Sequence, residues 1–108
     1  MRLPGEIDVR ELQRMRAAQS DFVLLDVRED DELRIARLDW ATHIPMAGVP
    51  ERLDELTPDR DIVVMCHSGV RSAHVAAYLR ARGFVSVANL AGGIDAWSSG
   101  VDPAVPVY

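Results

Sequence analysis

The stretch VVMCHSGVRSAHVAAYLRARG, residues 63–83, decides the fold. An apolar run ends at Cys66, a short loop carries Gly69 and Arg71, and a helical pattern follows. The run begins at DIVVMC (61–66) and has a counterpart in FVLLDV (22–27). Short unbroken runs rich in Val and Leu suit strands buried on both faces, as in a parallel sheet. In the helical part, predicted over 72–84, Ser72, Val75, Ala76 and Leu79 share one face. Arg80 and Arg82 sit near its negative end, and Gly83 followed by Phe84 fits a left-handed cap.

VSVANL (85–90) reads as a third, weaker strand, and ATHIPM (41–46) as a fourth, stopped at Pro45. Helical patterns fill the gaps. Asp8 caps a helix running to about Ala18, with Glu11 placed to complete a capping box. DDELRIARL (30–38) has an acidic first turn, which suits the helix dipole. GVPERLDEL (48–56) has Pro50 and Glu51 at its start and Val49, Leu53 and Leu56 on one face. GGIDAW (92–97) predicts a last short helix, and the Pro- and Val-rich tail from Gly100 to Tyr108 reads as irregular. Alternating strands and helices predict an α/β sandwich around a mostly parallel sheet. Sites in such sheets form at the C-terminal ends of strands. Cys66 ends one of the two most apolar strands, which is therefore expected to be central.

The chain has 108 residues, of which 48% are hydrophobic and 27% charged, the proportions of one ordinary globular domain. One cysteine excludes an internal disulfide and a cysteine-based zinc site. His43, His67 and His74 show no metal-ligand spacing. A net charge of −5 argues against nucleic acid as the main partner. All 12 basic residues are arginine, so neither a Schiff-base lysine nor a P-loop lysine is available. The start MRLPGEIDV lacks a long apolar segment, so neither a signal peptide nor a membrane anchor is expected. The expected location is the cytoplasm, where the thiol stays reduced.

A lone thiol ending a strand is ordinarily a small buried apolar residue. The neighbours of Cys66 point further. A loop of His67, Ser68, Gly69 and Val70, curled around the sulfur, aims backbone N–H groups inward and makes an anion-binding nest at a helix start. Gly69 permits the close turn. The same field favours the thiolate, which is the nucleophile. Arg71 adds a positive charge or pairs with an oxyanion. Four residues separate Cys66 from Arg71. Cysteine phosphatases resemble C-x5-R, with five, and the shorter loop makes a smaller cradle, better matched to a terminal sulfur than to a phosphate group.

Three segments in order resemble the rhodanese (sulfurtransferase) family: LLDVRE (24–29), CHSGVRS (66–72) as the C-x-x-G-x-R-S loop, and NLAGGIDAW (89–97) as the late L-x-G-G-x-x-x-W segment. The resemblance implies a rhodanese-like α/β fold, with a central five-stranded, mainly parallel sheet flanked by helices on both faces. It implies a single such domain over 1–108, with its core at about 5–99. It implies that Cys66 takes a sulfane sulfur from thiosulfate or a persulfide donor and passes it, as a Cys66 persulfide, to cyanide or a thiol. The N–H groups of His67, Ser68, Gly69, Val70 and Arg71 would hold the terminal sulfur. A protein donor or acceptor is also admitted; no metal, organic cofactor, nucleic acid or membrane partner is implied. Two other readings stay open: a sulfur-carrying or regulatory module without turnover, and, less favoured, a cysteine phosphatase or arsenate reductase.

Supporting roles are expected of Ser72, through a hydrogen bond at the helix start, and of Asp26 and Arg28 in the family's D-x-R positions. Asp26 orients the loop or Arg71, or else makes a structural salt bridge or helix cap. His67 is expected to tune access more than to carry a proton. ARLDWATHIP (36–45) departs from the family's Gly-His-Ile-x-Gly-Ala-x-Asn-Ile-Pro stretch, with Trp40 in place of a glycine and His43 at the Asn position. Trp40 is expected to pack half-buried, with a partner contact as the other reading.

Overall fold

The structure is a computed structural model and describes residues 2–108. Five strands, β1 (Glu6–Ile7), β2 (Phe22–Asp26), β3 (Thr42–His43), β4 (Asp61–Met65) and β5 (Val87–Leu90), form one sheet in the order β1-β5-β4-β2-β3. All four pairings are parallel. Four helices accompany them: α1 (Val9–Ala17), α2 (Asp30–Ile35), α3 (Val70–Ala81) and α4 (Gly93–Gly100).

Side chains alternate across the sheet with the period of two that a strand imposes. Leu24, Val63, Met65, Ala88 and Leu90 face one core, with Leu12 of α1 and Ile94 and Trp97 of α4. Leu25, Ile62, Val64, Cys66 and Val87 face the other, with Val75, Ala76 and Leu79 of α3. This double burial is why β2 and β4 read as unbroken apolar runs.

Several elements differ from the sequence reading. β1 was not predicted: it is two residues long, too short for a periodic signal, and pairs with Asn89 and Leu90. The helix expected over 48–56 is instead two 3-10 segments, Met46–Gly48 and Pro50–Glu55, with non-helical backbone at Arg52. Pro45 and Pro50 each remove a backbone donor, and the segment closes on i→i+3 bonds while Val49 and Leu56 enter the core. α2 ends at Ile35, because Ala36 turns extended and carries itself and Leu38 into the core. Asp8 does cap α1, accepting from the Glu11 N–H at 2.9 Å, but the Glu11 carboxylate turns to Arg14 instead of closing a capping box. Gly83 takes the left-handed conformation expected of it, with φ 94°.

Trp40 is half-buried, between the Phe22 ring at 6.3 Å and the Trp97 ring at 5.7 Å. The Arg16 guanidinium lies 4.4 Å above it. His43 donates from Nε2 to the Arg28 carbonyl at 2.6 Å, tying β3 to the end of β2. The segment from Asp102 to Tyr108 is irregular but not loose: Val105 is buried in the core. No helix among the described residues is long and apolar enough to cross a membrane.

The chain leaves β2 toward β3 on one side and leaves β4 toward β5 on the other. A crevice therefore opens above the C-terminal ends of β2 and β4, and Cys66 follows the last residue of central β4.

Candidate active site around Cys66

The turn after β4 is shaped from below by α4. The Ile94 N–H donates to the Cys66 carbonyl at 3.0 Å, and the Asp95 N–H donates to the His67 carbonyl at 3.1 Å. With these carbonyls held beneath, the N–H groups of the following residues turn toward the sulfur. The approach is so close that a Cβ on Gly93 would lie 2.5 Å from both carbonyl oxygens. Gly69, at φ 107°, then swings the chain into α3 and serves as its N-cap.

Within this turn the Gly69 N–H donates to Cys66 Sγ at 3.1 Å. Ser72 Oγ lies 3.3 Å from the same sulfur. Cys66 is 1% exposed. Burial pushes its thiol up, but hydrogen bonds from the Ser72 hydroxyl and from the N–H groups of Ser72, Gly69 and Ser68 outweigh it. The net result holds the thiol below its ordinary 9.0. This is a nest for an anion centred on sulfur, at a helix N-terminus.

Ser72 does not act as the helix-start bond expected of it. α3 begins two residues earlier than predicted, because left-handed Gly69 opens the helix. Ser72 therefore lies inside the first turn, with its hydroxyl between Cys66 and the Asn89 Oδ1, 2.5 Å away.

Arg71 is not a free cation. Its two terminal nitrogens grip Glu32 of α2 at 2.6 and 2.8 Å. That fork holds the Glu32 carboxyl down to about 2 and raises Arg71 above its ordinary value. Asp26 does not reach Arg71. It pairs with Arg28 through three side-chain contacts at 2.8 to 3.2 Å, both residues being fully buried. Burial opposes the Arg28 charge, but the bonds to Asp26 and Tyr108 prevail and raise it.

Tyr108 joins the two pairs. Its hydroxyl accepts from Arg28 at 2.9 Å and donates to Glu32 at 2.7 Å. Its ring stacks on His67, with centroids 4.0 Å apart and 10° between planes. Burial, foremost, pushes the phenol up to about 12. His67 thus walls the turn against Tyr108, and its buried Nε2 has no hydrogen-bond partner among the described residues.

Three residues at the site carried little sequence signal. Asn89 is a polar residue inside an apolar strand, the one visible cue. Glu32 read as one of several acids in a first turn. Tyr108 gave none, being 80 residues from Arg28.

The rhodanese-like domain profile matches residues 8–100. The chain belongs to the rhodanese-like domain family. A sulfurtransferase of Allochromatium vinosum is 40% identical over 94 residues, covering 87% of this chain and 88% of that protein. A crystal structure of a rhodanese-like domain protein from Staphylococcus aureus superposes with a TM-score of 0.82 at 30% identity, covering 100% of this chain and 99% of that one. The human single-domain sulfurtransferase has the same fold, with a TM-score of 0.83 at 20% identity over 90% and 97% of the two chains. Relatives that bear the name sulfurtransferase, together with the rhodanese-like fold, support sulfur transfer in general.

Proposed function

We propose that this rhodanese-like chain moves a sulfane sulfur through a persulfide on Cys66. The observation that carries the reading is the nest itself: a thiol held below its ordinary value at the end of β4, with N–H donors turned toward it.

The steps balance without an external oxidant. The Cys66 thiolate attacks the outer sulfur of thiosulfate, or of a persulfide. A new S–S bond forms, and the donor's S–S bond breaks with its electron pair leaving on sulfite or on the donor thiolate. The outer sulfur, now on Cys66, carries the negative charge within reach of the N–H groups of residues 67–71. An acceptor thiolate, or cyanide, then attacks that sulfur. The electron pair returns to Cys66, and a new persulfide or thiocyanate departs. This is covalent, ping-pong catalysis. Gly69 and Ser72 stabilise the sulfur anion. Arg71, neutralised by Glu32, fixes the turn and does not serve as a free oxyanion partner. The reaction is placed in the cytoplasm, where a lone thiol stays reduced.

The test is incubation with thiosulfate, and separately with glutathione persulfide, followed by intact mass measurement. A gain of one sulfur that cyanide or a reductant removes, and that Cys66→Ser abolishes, is expected. No adduct from either donor would sink the proposal. Steady-state turnover with small thiols separates an enzyme from a carrier that delivers sulfur only to a specific protein.

A further inference from the structure

Asn89 lies in β5, all four residues of which are buried, and is itself 5% exposed. A side-chain amide at such a place must find partners for both its ends. Its Nδ2 meets two acceptors, the Glu6 carboxylate at 3.1 Å and the Gly69 carbonyl at 3.2 Å. Those two acceptors fix the nitrogen end, so Oδ1 is the atom facing Ser72 Oγ at 2.5 Å.

A hydroxyl has one proton to donate. Ser72 Oγ has two acceptors in reach, Asn89 Oδ1 and Cys66 Sγ. While Cys66 is protonated, its S–H donates to Ser72 Oγ and Ser72 donates onward to Asn89. Once Cys66 ionises, the sulfur calls for the Ser72 proton, and granting it strands a buried Oδ1 without a donor. We propose that Asn89 is a positioning residue for Cys66: it competes with the sulfur for the single Ser72 proton. Asn89 thereby restrains ionisation of the resting thiol, acting through Ser72 and not on sulfur directly.

The other charged or titratable groups around Cys66 are occupied elsewhere. Arg71 of α3 is held by Glu32 of α2, and Arg28 after β2 by Asp26 and Tyr108. His67 stacks on Tyr108, and Asp95 of α4 is exposed. Among the charged groups of the described residues, Glu6 of β1, itself exposed, is the one that hydrogen-bonds Asn89.

This inference rests on Cys66 being the reactive thiol, and its test reads proton loss alone, with no sulfur donor present. The pH dependence of Cys66 alkylation by iodoacetamide is measured in five proteins: wild type, Asn89→Leu, Ser72→Ala, the double variant and Glu6→Gln. Asn89→Leu is expected to lower the midpoint by about one pH unit, the size of one charge-assisted hydrogen bond. Ser72→Ala raises it, adding Asn89→Leu to Ser72→Ala shifts it no further, and Glu6→Gln leaves it at the wild-type value. An unchanged or raised midpoint in Asn89→Leu overturns the inference, and so does an equal downward shift in the Ser72→Ala background. A shift in Glu6→Gln matching that of Asn89→Leu overturns it too. Asn89→Ala, which introduces no new bulk, gives the same reading if the leucine variant does not fold. A wild type that takes up no sulfur while these midpoints move as stated fails the proposed function and leaves this inference standing.

Discussion

At the scale of single residues, the turn after β4 depends on one hydrogen atom at Gly93. Its φ of 58° already disfavours a side chain, and a Cβ would collide with the Cys66 and His67 carbonyls. Gly93→Ala is expected to cost about 1–3 kcal/mol, measured by urea unfolding, and to lower the alkylation rate of Cys66, because the turn must shift to make room. Glu32 makes a pH-dependent contribution. Its carboxyl falls from 4.5 to about 2 on folding, chiefly through Arg71. A depressed acid stabilises the fold above its unfolded value and loses that effect as pH falls through the folded one. Stability is therefore expected to drop between 4.5 and about 2, and Glu32→Gln to flatten that limb in denaturant titrations at stepped pH.

At the scale of elements, the irregular tail does more than close the chain's last core contacts. Tyr108 links two ion pairs from different elements, and its ring covers His67. Tyr108→Phe keeps the stack and loses both hydroxyl bonds, so a loss of about 1–3 kcal/mol is expected in chemical denaturation. Tyr108→Ala removes the stack as well and is expected to speed alkylation of Cys66 by bulky maleimides more than by iodoacetamide. Equal acceleration of both reagents would show that the ring does not govern access. Breaking the Asp26–Arg28 pair has a larger cost. Arg28→Met leaves a carboxylate buried without its partner, a loss of about 3–5 kcal/mol.

At the scale of the molecule, the sheet divides the interior into two cores. Ile94 belongs to the core with α1 and α4, and Ile62 to the core with α3. Ile94→Val and Ile62→Val are each expected to cost about 0.5–1.5 kcal/mol. With no shared core, the double variant should cost their sum to within about 0.5 kcal/mol. Clear non-additivity in urea titrations would show that the central strands couple the two layers.

The buried strands β2 and β4, the helix after the Cys66 turn, and the glycine cap at Gly83 were legible in the sequence, because each rests on local chemistry: unbroken apolar runs, 3.6-residue spacing, positive φ. So was the position of Cys66 at the end of a central strand. Two-residue β1 was not legible, since only its pairing with β5 makes it a strand. The 3-10 course of 46–55 depends on how Val49 and Leu56 must reach the core. The partners of the turn were likewise decided by tertiary structure. Ser72 bonds sulfur because Gly69 starts the helix early, Arg71 is neutral in effect because α2 brings Glu32 to it, and Tyr108 reaches the site because the tail packs back on the core. Sequence determines which residues can do chemistry; only the fold, by setting distances of about 3 Å between groups far apart in the chain, decides which of them meet.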